Sequence, residues 1–152
     1  MTRIVIACLA VLGAGPLSAQ VPALVGTWRV AFPAGSSIEN GVATPIMGGG
    51  VLTIEATADS LIGTLVRDPI EGMPPRPPAR LAAARGPSPA VFVSRTSATV
   101  SSNGNEQELV AISTWKLQAD GNALRGTVER EIEGLPMGKQ PPMEVTGTRQ
   151  PS

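Results

Sequence analysis

Apolar and polar residues alternate at every second position along most of the chain after residue 25. In Val51–Thr57, for example, Leu52, Ile54 and Ala56 share one face, and polar residues occupy the other. The same period recurs over residues 25–32, 61–67, 90–95, 108–118, 123–131 and 143–149, and more weakly over 80–85. These segments predict about eight short β-strands. The one helix-like run, Leu81–Arg85, is flanked by prolines, which disfavour a helix.

Glycine-rich and proline-rich segments separate these predicted strands. Asp120-Gly121-Asn122 predicts a hairpin turn, because Gly and Asn tolerate positive φ. Pro33–Gly50, Asp68–Pro89 and Gly134–Pro142 are interpreted as long loops. An open sheet of this size would leave unpaired edges that favour aggregation. The sequence therefore predicts an all-β fold, a closed or nearly closed antiparallel barrel of about eight strands.

The chain also contains an internal repeat. Leu61–Pro74 is similar to Leu124–Pro136, and both segments contain Leu-x-Gly-Thr followed by Ile-Glu-Gly-x-Pro. Similar hairpin chemistry arising twice is the alternative explanation. If the repeat is real, Arg67 and Arg130 occupy equivalent positions, in phase with the inward-facing residues of their strands. Both arginines are then expected on the inner face of the barrel, near one rim.

The N-terminus has the order of a secretory signal peptide. Arg3 precedes the apolar run Ile4–Leu12, and a small residue, Ala19, ends the segment. We predict a signal peptide over 1–19 and a single β-barrel domain over 20–152, located in the periplasm or outside the cell. The alternative is a lipoprotein modified at Cys8. The apolar run is too short to span a membrane, since a spanning helix needs about 20 apolar residues.

Composition excludes several kinds of chemistry. The chain has 12 basic and 12 acidic residues, so it has no electrostatic reason to bind nucleic acid. It has no histidine, and its single cysteine lies in the predicted signal peptide. Ser-His-Asp catalysis, thiol chemistry and metal sites built on His or Cys are therefore not expected. No cofactor and no metal site are predicted.

The remaining candidates for catalysis are better explained by strand structure. Ser113 and Lys116 have the Ser-x-x-Lys spacing of penicillin-binding enzymes, but on a strand an odd separation puts them on opposite faces. Glu129, Glu131 and Glu133 share one face, which we interpret as solvated. We therefore expect a protein that is not an enzyme.

Two short motifs at the ends of the domain resemble those of the calycins, which include lipocalins, fatty-acid-binding proteins and avidins. They are Gly26-Thr27-Trp28 on the first strand and Thr146-Gly147-Thr148-Arg149 on the last. The chain also resembles small exported bacterial proteins of unassigned function. The resemblance implies that Gly26, Trp28 and Arg149 close one end of the barrel, with Arg149 over the indole ring. The chain is shorter than a typical lipocalin and lacks that family's disulfide.

The leading functional hypothesis is an exported non-enzymatic binding protein that holds a small apolar or amphipathic, fatty-acid-like ligand in the barrel. Arg67 and Arg130 would bind a carboxylate or phosphate head. Trp115, Leu52 and Ile54 would belong to an apolar inner wall, which also includes Leu65, Leu109, Leu117, Val128 and Val145. In the alternative, the two arginines pair with Asp68, Glu71, Glu131 or Glu133, or extend into solvent.

The alternative function is a protein-interaction or structural domain with a packed barrel. Its contact surface would be the proline-rich segment Gly72–Pro89, which carries Arg76, Arg80 and Arg85. The same segment is also explained as a stiff surface loop. The barrel interior distinguishes the two functions, because a ligand in the barrel needs an apolar cavity of about 300 Å³ or more.

Overall fold

The computed structural model describes residues 20–40, 42–134 and 139–152. The predicted signal peptide and Cys8 lie outside the described residues. The described chain contains a five-residue helix and eight strands. Their bounds are α1 Gln20–Leu24, β1 Gly26–Glu39, β2 Val42–Ala56, β3 Ser60–Arg67, β4 Ala79–Ala84, β5 Ala90–Ser102, β6 Asn105–Asp120, β7 Ala123–Ile132 and β8 Met143–Arg149.

Each strand pairs with the next one in the chain, and the last strand pairs with the first. All of these pairings are antiparallel, so the eight strands form a closed up-and-down barrel. The β1–β8 ladder that closes it runs from Trp28↔Arg149 to Ala31↔Thr146. The predicted all-β barrel is confirmed, and the architecture is consistent with a calycin-like fold. None of the helices in the described part of the chain is long and apolar enough to cross a membrane.

Two of the predicted strand boundaries are wrong. Pro33–Gly50 was expected to be a loop, but β1 continues to Glu39 and pairs with the first half of β2. Pro33 is accommodated because it lies at a register shift in β1, beyond the last pair with β8. The hairpin of β5 and β6 likewise extends past Arg95, with Asn103 at positive φ in its turn. The weak strand expected at 80–85 is present as β4.

The inner face of the barrel is filled by apolar side chains. Seven of them have no accessible surface: Trp28, Phe32, Leu65, Phe92, Leu117, Val128 and Val145. A cavity that admits water would leave accessible surface on the residues around it, so these side chains pack directly against one another. Each such burial contributes roughly 1.5–3 kcal/mol relative to an exposed side chain. Leu109, which was expected on this inner wall, is only half-buried, because it pairs with Ala98 in the extended hairpin.

The cross-strand register reproduces the internal repeat. In the β2–β3 ladder, Leu52 lies opposite Leu65; in the β6–β7 ladder, Trp115 lies opposite Val128. Since β3 and β7 are four strands apart in an eight-stranded barrel, the two copies lie on opposite sides. The equivalent residues Arg67 and Arg130 therefore face each other across one end of the barrel.

The opposite end, which we call the closed end, is built from α1, Gly26, Trp28 and Arg149. The indole Nε1 of Trp28 donates a 2.9 Å hydrogen bond to the carbonyl of Leu24. The guanidinium of Arg149 lies 4.2 Å from the centre of the indole ring, which confirms the predicted cation–π contact. It also donates to the carbonyls of Ala23 and Val25, the latter at 2.9 Å.

Gly26 is required at this end. Its φ is +134°, and a Cβ there would lie 2.6 Å from Nη1 of Arg149. Any larger residue would strain the backbone and displace the guanidinium from the indole ring.

Candidate functional site

The barrel end opposite α1 is the candidate site, and we call it the mouth. It is bordered by Pro33 and Ala34 of β1, by the C-terminal ends of β3 and β7, and by the loop 68–76. Arg67 ends β3, and Arg130 lies near the end of β7. Both predicted arginines are therefore on the barrel's inner side at one rim, as the repeat indicated.

Burial and like charge act together on the mouth arginines. Both side chains are partly buried, and Arg130 donates a hydrogen bond to the carbonyl of Pro33. Desolvation lowers the pKa of Arg67, and the charge of Arg76 lowers it further. Desolvation also lowers the pKa of Arg130, with further contributions from Arg67 and Arg76. Three guanidinium groups are therefore close enough to repel one another.

A lowered pKa on a base means that the folded state disfavours the charged form. The resulting penalty on folding is fully present below the folded-state pKa of each arginine, and it is relieved as the pH rises through that value. Because arginine ordinarily titrates far above neutral pH, the charges of Arg67 and Arg130 oppose folding throughout the neutral range.

No ion pair relieves this repulsion within the described residues. The ion pairs found there are Arg29–Asp68, Arg95–Glu133, Lys116–Glu129 and Lys139–Glu129. Asp68 and Glu133 were possible partners of the mouth arginines, but each binds an arginine elsewhere. The mouth thus holds positive charge without a described carboxylate partner.

A cleft of about 70 Å³ opens beside these arginines, between β1 and the loop 68–76. Its walls are mostly apolar, with two arginines among them: Ala34, Arg67, Asp68, Pro69, Ile70, Met73, Pro74, Pro75 and Arg76. Positive charge and apolar surface are therefore adjacent, an arrangement that suits a small amphipathic anion.

The loop is held against the barrel by Asp68. Its backbone N–H donates to the carbonyl of Gly49 at 2.9 Å, and its carboxylate accepts hydrogen bonds from both terminal nitrogens of Arg29. The hydrogen bond and charge of Asp68 raise the pKa of Arg29. Gly49 makes room for this contact, because a Cβ there would lie 2.7 Å from the carboxylate. The sequence signal for this anchor is a run of three glycines inside a strand, Gly48–Gly50.

Below the mouth, the inner wall carries a row of hydrogen-bond donors. Ser94 lies opposite Ser113, and Ser113 lies opposite Arg130, on three adjacent strands. Two pairs further along these ladders, Trp115 packs edge-on against Phe32, with ring centres 5.4 Å apart. Its Nε1 is buried and has no acceptor among the described atoms, which costs roughly 1–3 kcal/mol.

The five residues predicted to bind a ligand are thus divided between two locations. Arg67 and Arg130 lie at the mouth, and Trp115 lies just beneath it. Leu52 and Ile54 are each 1 % exposed and belong to the filled interior. The sequence did not indicate that Arg76 contributes to the mouth, or that Arg29 and Asp68 form an anchor. Both features depend on contacts between residues that are distant in sequence.

The side chains considered for catalysis are placed as the strand periodicity predicted. Ser113 lies on the inner wall, whereas Lys116 is exposed and pairs with Glu129 at 3.5 Å. Lys139 also contacts Glu129, at 3.9 Å. In residues 20–40, 42–134 and 139–152 there is no group of three or more acidic, His or Cys side chains that would hold a metal ion.

Comparisons with known protein families and with curated protein sequences find no match to this chain.

Proposed function

We propose that this chain is an exported, non-enzymatic binding protein of the calycin type. It binds the anionic head of a small amphipathic ligand between Arg67 and Arg130, and the apolar part of the ligand occupies the adjoining cleft. The observation that supports this proposal is the pair of partly buried arginines that face each other without a described carboxylate partner.

An oxyanion would relieve the repulsion among the mouth arginines. Guanidinium groups bind carboxylates and phosphates through two parallel hydrogen bonds, and such contacts are stronger where solvent is partly excluded. Because Arg67 and Arg130 come from opposite sides of the barrel, an anion between them contacts both. Binding at the mouth therefore turns an unfavourable arrangement of charges into a favourable one.

The sequence led us to expect the ligand inside the barrel, but the described interior is filled, so we place the apolar part of the ligand in the cleft instead. The interior side chains around Phe32 and Leu65 have no accessible surface, so a chain inserted there would displace them. The cleft offers Ile70 and Met73, and Met73 is 40 % exposed. Covering this surface contributes roughly 25 cal/mol per Å² of apolar area.

Calorimetric titration of the full chain with octanoate tests the proposal. We expect saturable binding that weakens on the order of tenfold in Arg67→Gln and in Arg130→Gln, since each loses one charged contact. Arg80→Gln is the matched control, because Arg80 is an exposed arginine on the outer face of β4. Absence of saturable binding, or equal binding by all four proteins, would contradict the proposal.

The second candidate is contact with a protein partner through Gly72–Pro89. The observation that favours it is that every residue from 71 to 78 is exposed, and four of them are prolines. A proline-rich exposed segment is preorganised for binding in an aromatic groove. Pro77→Ala/Pro78→Ala changes residues outside the cleft, so reduced partner capture with unchanged octanoate binding would favour this function.

Export is part of the proposal and has its own test. Cleavage after Ala19 predicts a secreted protein that begins at Gln20. Intact-mass analysis of the secreted protein checks this, and a retained N-terminal segment or a lipid on Cys8 would contradict it.

A further inference from the structure

We infer that the preferred head group is a phosphate monoester, bound jointly by Arg67, Arg76 and Arg130. This inference rests on the proposed function and specifies the chemical class of its ligand. It follows from two arginines that line one cleft, Arg67 and Arg76, and a third, Arg130, that reaches its edge at Pro33, while the acidic residue of the described lining is engaged elsewhere.

The charge around the cleft favours a dianion. Arg67 and Arg76 both line the cleft, and Arg130 donates a hydrogen bond to the carbonyl of Pro33, the residue before Ala34 in the cleft wall. The acidic residue of the lining, Asp68, is held by Arg29 on the outer side of β1. A carboxylate head would neutralise one of the three positive charges, whereas a phosphate monoester carries about −1.5 to −2 at neutral pH.

The number of acceptor oxygens leads to the same conclusion. A phosphate monoester has three terminal oxygens, so each of three guanidinium groups is able to contact a different one. Arg67 and Arg130 approach from strands on opposite sides of the barrel, while Arg76 approaches from the loop. A carboxylate has only two oxygens in one plane and cannot engage three separate arginines equally well.

Local structure supports a defined position for Arg76. Prolines surround it at positions 74, 75, 77 and 78, and proline restricts both its own backbone and that of the preceding residue. The loop is also anchored to the barrel at Asp68. Less conformational entropy is then lost when Arg76 contacts an anion than would be lost by an arginine in a flexible loop.

Paired titrations of the full chain with octyl phosphate and octanoate at about pH 8 test this inference, because the phosphate is then doubly charged. We expect octyl phosphate to bind on the order of tenfold more tightly than octanoate, since it gains one further charged contact. Arg76→Gln is expected to remove most of that difference, and Arg80→Gln is expected to preserve it. Lowering the pH to about 5.5 should weaken octyl phosphate more than octanoate, which stays largely ionised.

The outcomes separate this inference from the proposed function. Saturable binding of both ligands with equal affinity, or an equal effect of Arg76→Gln on both, would overturn the phosphate assignment and leave the proposed function standing. Absence of saturable binding by either ligand would overturn both. Inorganic phosphate is the third probe; if it binds as tightly as octyl phosphate, the ester class is wrong and free phosphate is the ligand.

Discussion

Both ends of the barrel contain partly buried arginines, but the surroundings of these arginines differ. At the closed end, Arg149 lies over the ring of Trp28 and donates to two backbone carbonyls. At the mouth, Arg67 and Arg130 repel each other, and the acidic residue that follows Arg67 in sequence, Asp68, binds another arginine.

The difference arises from what each end supplies as an acceptor. At the closed end, α1 and the residues after it provide free carbonyl groups, as the end of a helix does. At the mouth, strands from opposite sides of the barrel bring arginines together and supply the carbonyl of Pro33. Arg149 is therefore structural, because two backbone carbonyls and an indole ring satisfy it, whereas the mouth arginines share one described carbonyl acceptor and remain available for an external anion.

Replacing the arginine of the closed end should have the largest effect on stability. Arg149→Ala removes the two hydrogen bonds to carbonyls and the cation–π contact, so we expect a loss of about 2–3 kcal/mol in the free energy of unfolding. Urea denaturation measures it. Arg149→Lys, which keeps the charge but not the fork of donors, should fall in between. A loss below about 0.5 kcal/mol for the alanine variant would contradict the structural role of Arg149 at the closed end.

Replacing a mouth arginine should have a smaller effect of opposite sign. Arg67→Met removes a repelled, half-desolvated charge and keeps the apolar stem, so we expect stability to rise by up to about 1 kcal/mol after allowing for solvent screening. The same urea measurement without ligand checks this. A clear loss of stability would show that Arg67 has a stabilising partner, and would contradict the proposed difference between the mouth and the closed end.

The smallest change in stability is expected for the anchor of the loop. Asp68→Asn weakens an exposed pair with Arg29 and should leave the urea midpoint nearly unchanged. It should still weaken octanoate binding by a few-fold, because the loop that forms one wall of the cleft is held less firmly. If binding were unaffected, the anchor would have no role in the site.

The closed end was predictable from the sequence, whereas the mouth was predictable only in part. Gly26, Trp28 and Arg149 lie in short motifs at the first and last strands, and barrel closure brings first and last strands together. Arg67 and Arg130 were placed by the repeat. Their lack of a described carboxylate partner was not predictable, because Asp68 follows Arg67 in sequence but bonds to a side chain on β1.

Composition was misleading where proline and glycine occur inside strands. The segment from Pro33 to Gly50 has the composition of a loop, but a register shift accommodates the proline, and the glycines allow close approach. A Cβ at Gly50, for instance, would lie 2.5 Å from the carbonyl oxygen of Val66. The sequence also could not predict that the barrel is filled, because this depends on packing across the interior, such as the contact of Phe32 with Trp115.

The most direct test is an NMR titration that observes the Nε–H groups of the arginines in the full chain as octyl phosphate is added. We predict saturable shifts for Arg67 and Arg130, and an unchanged Nε–H signal for Arg149, whose guanidinium is held at the closed end by two Nη hydrogen bonds to backbone carbonyls. Shifts of similar size at all arginines would indicate non-specific binding. A change at Arg149 without one at Arg67 and Arg130 would contradict the assignment of the mouth as the binding site.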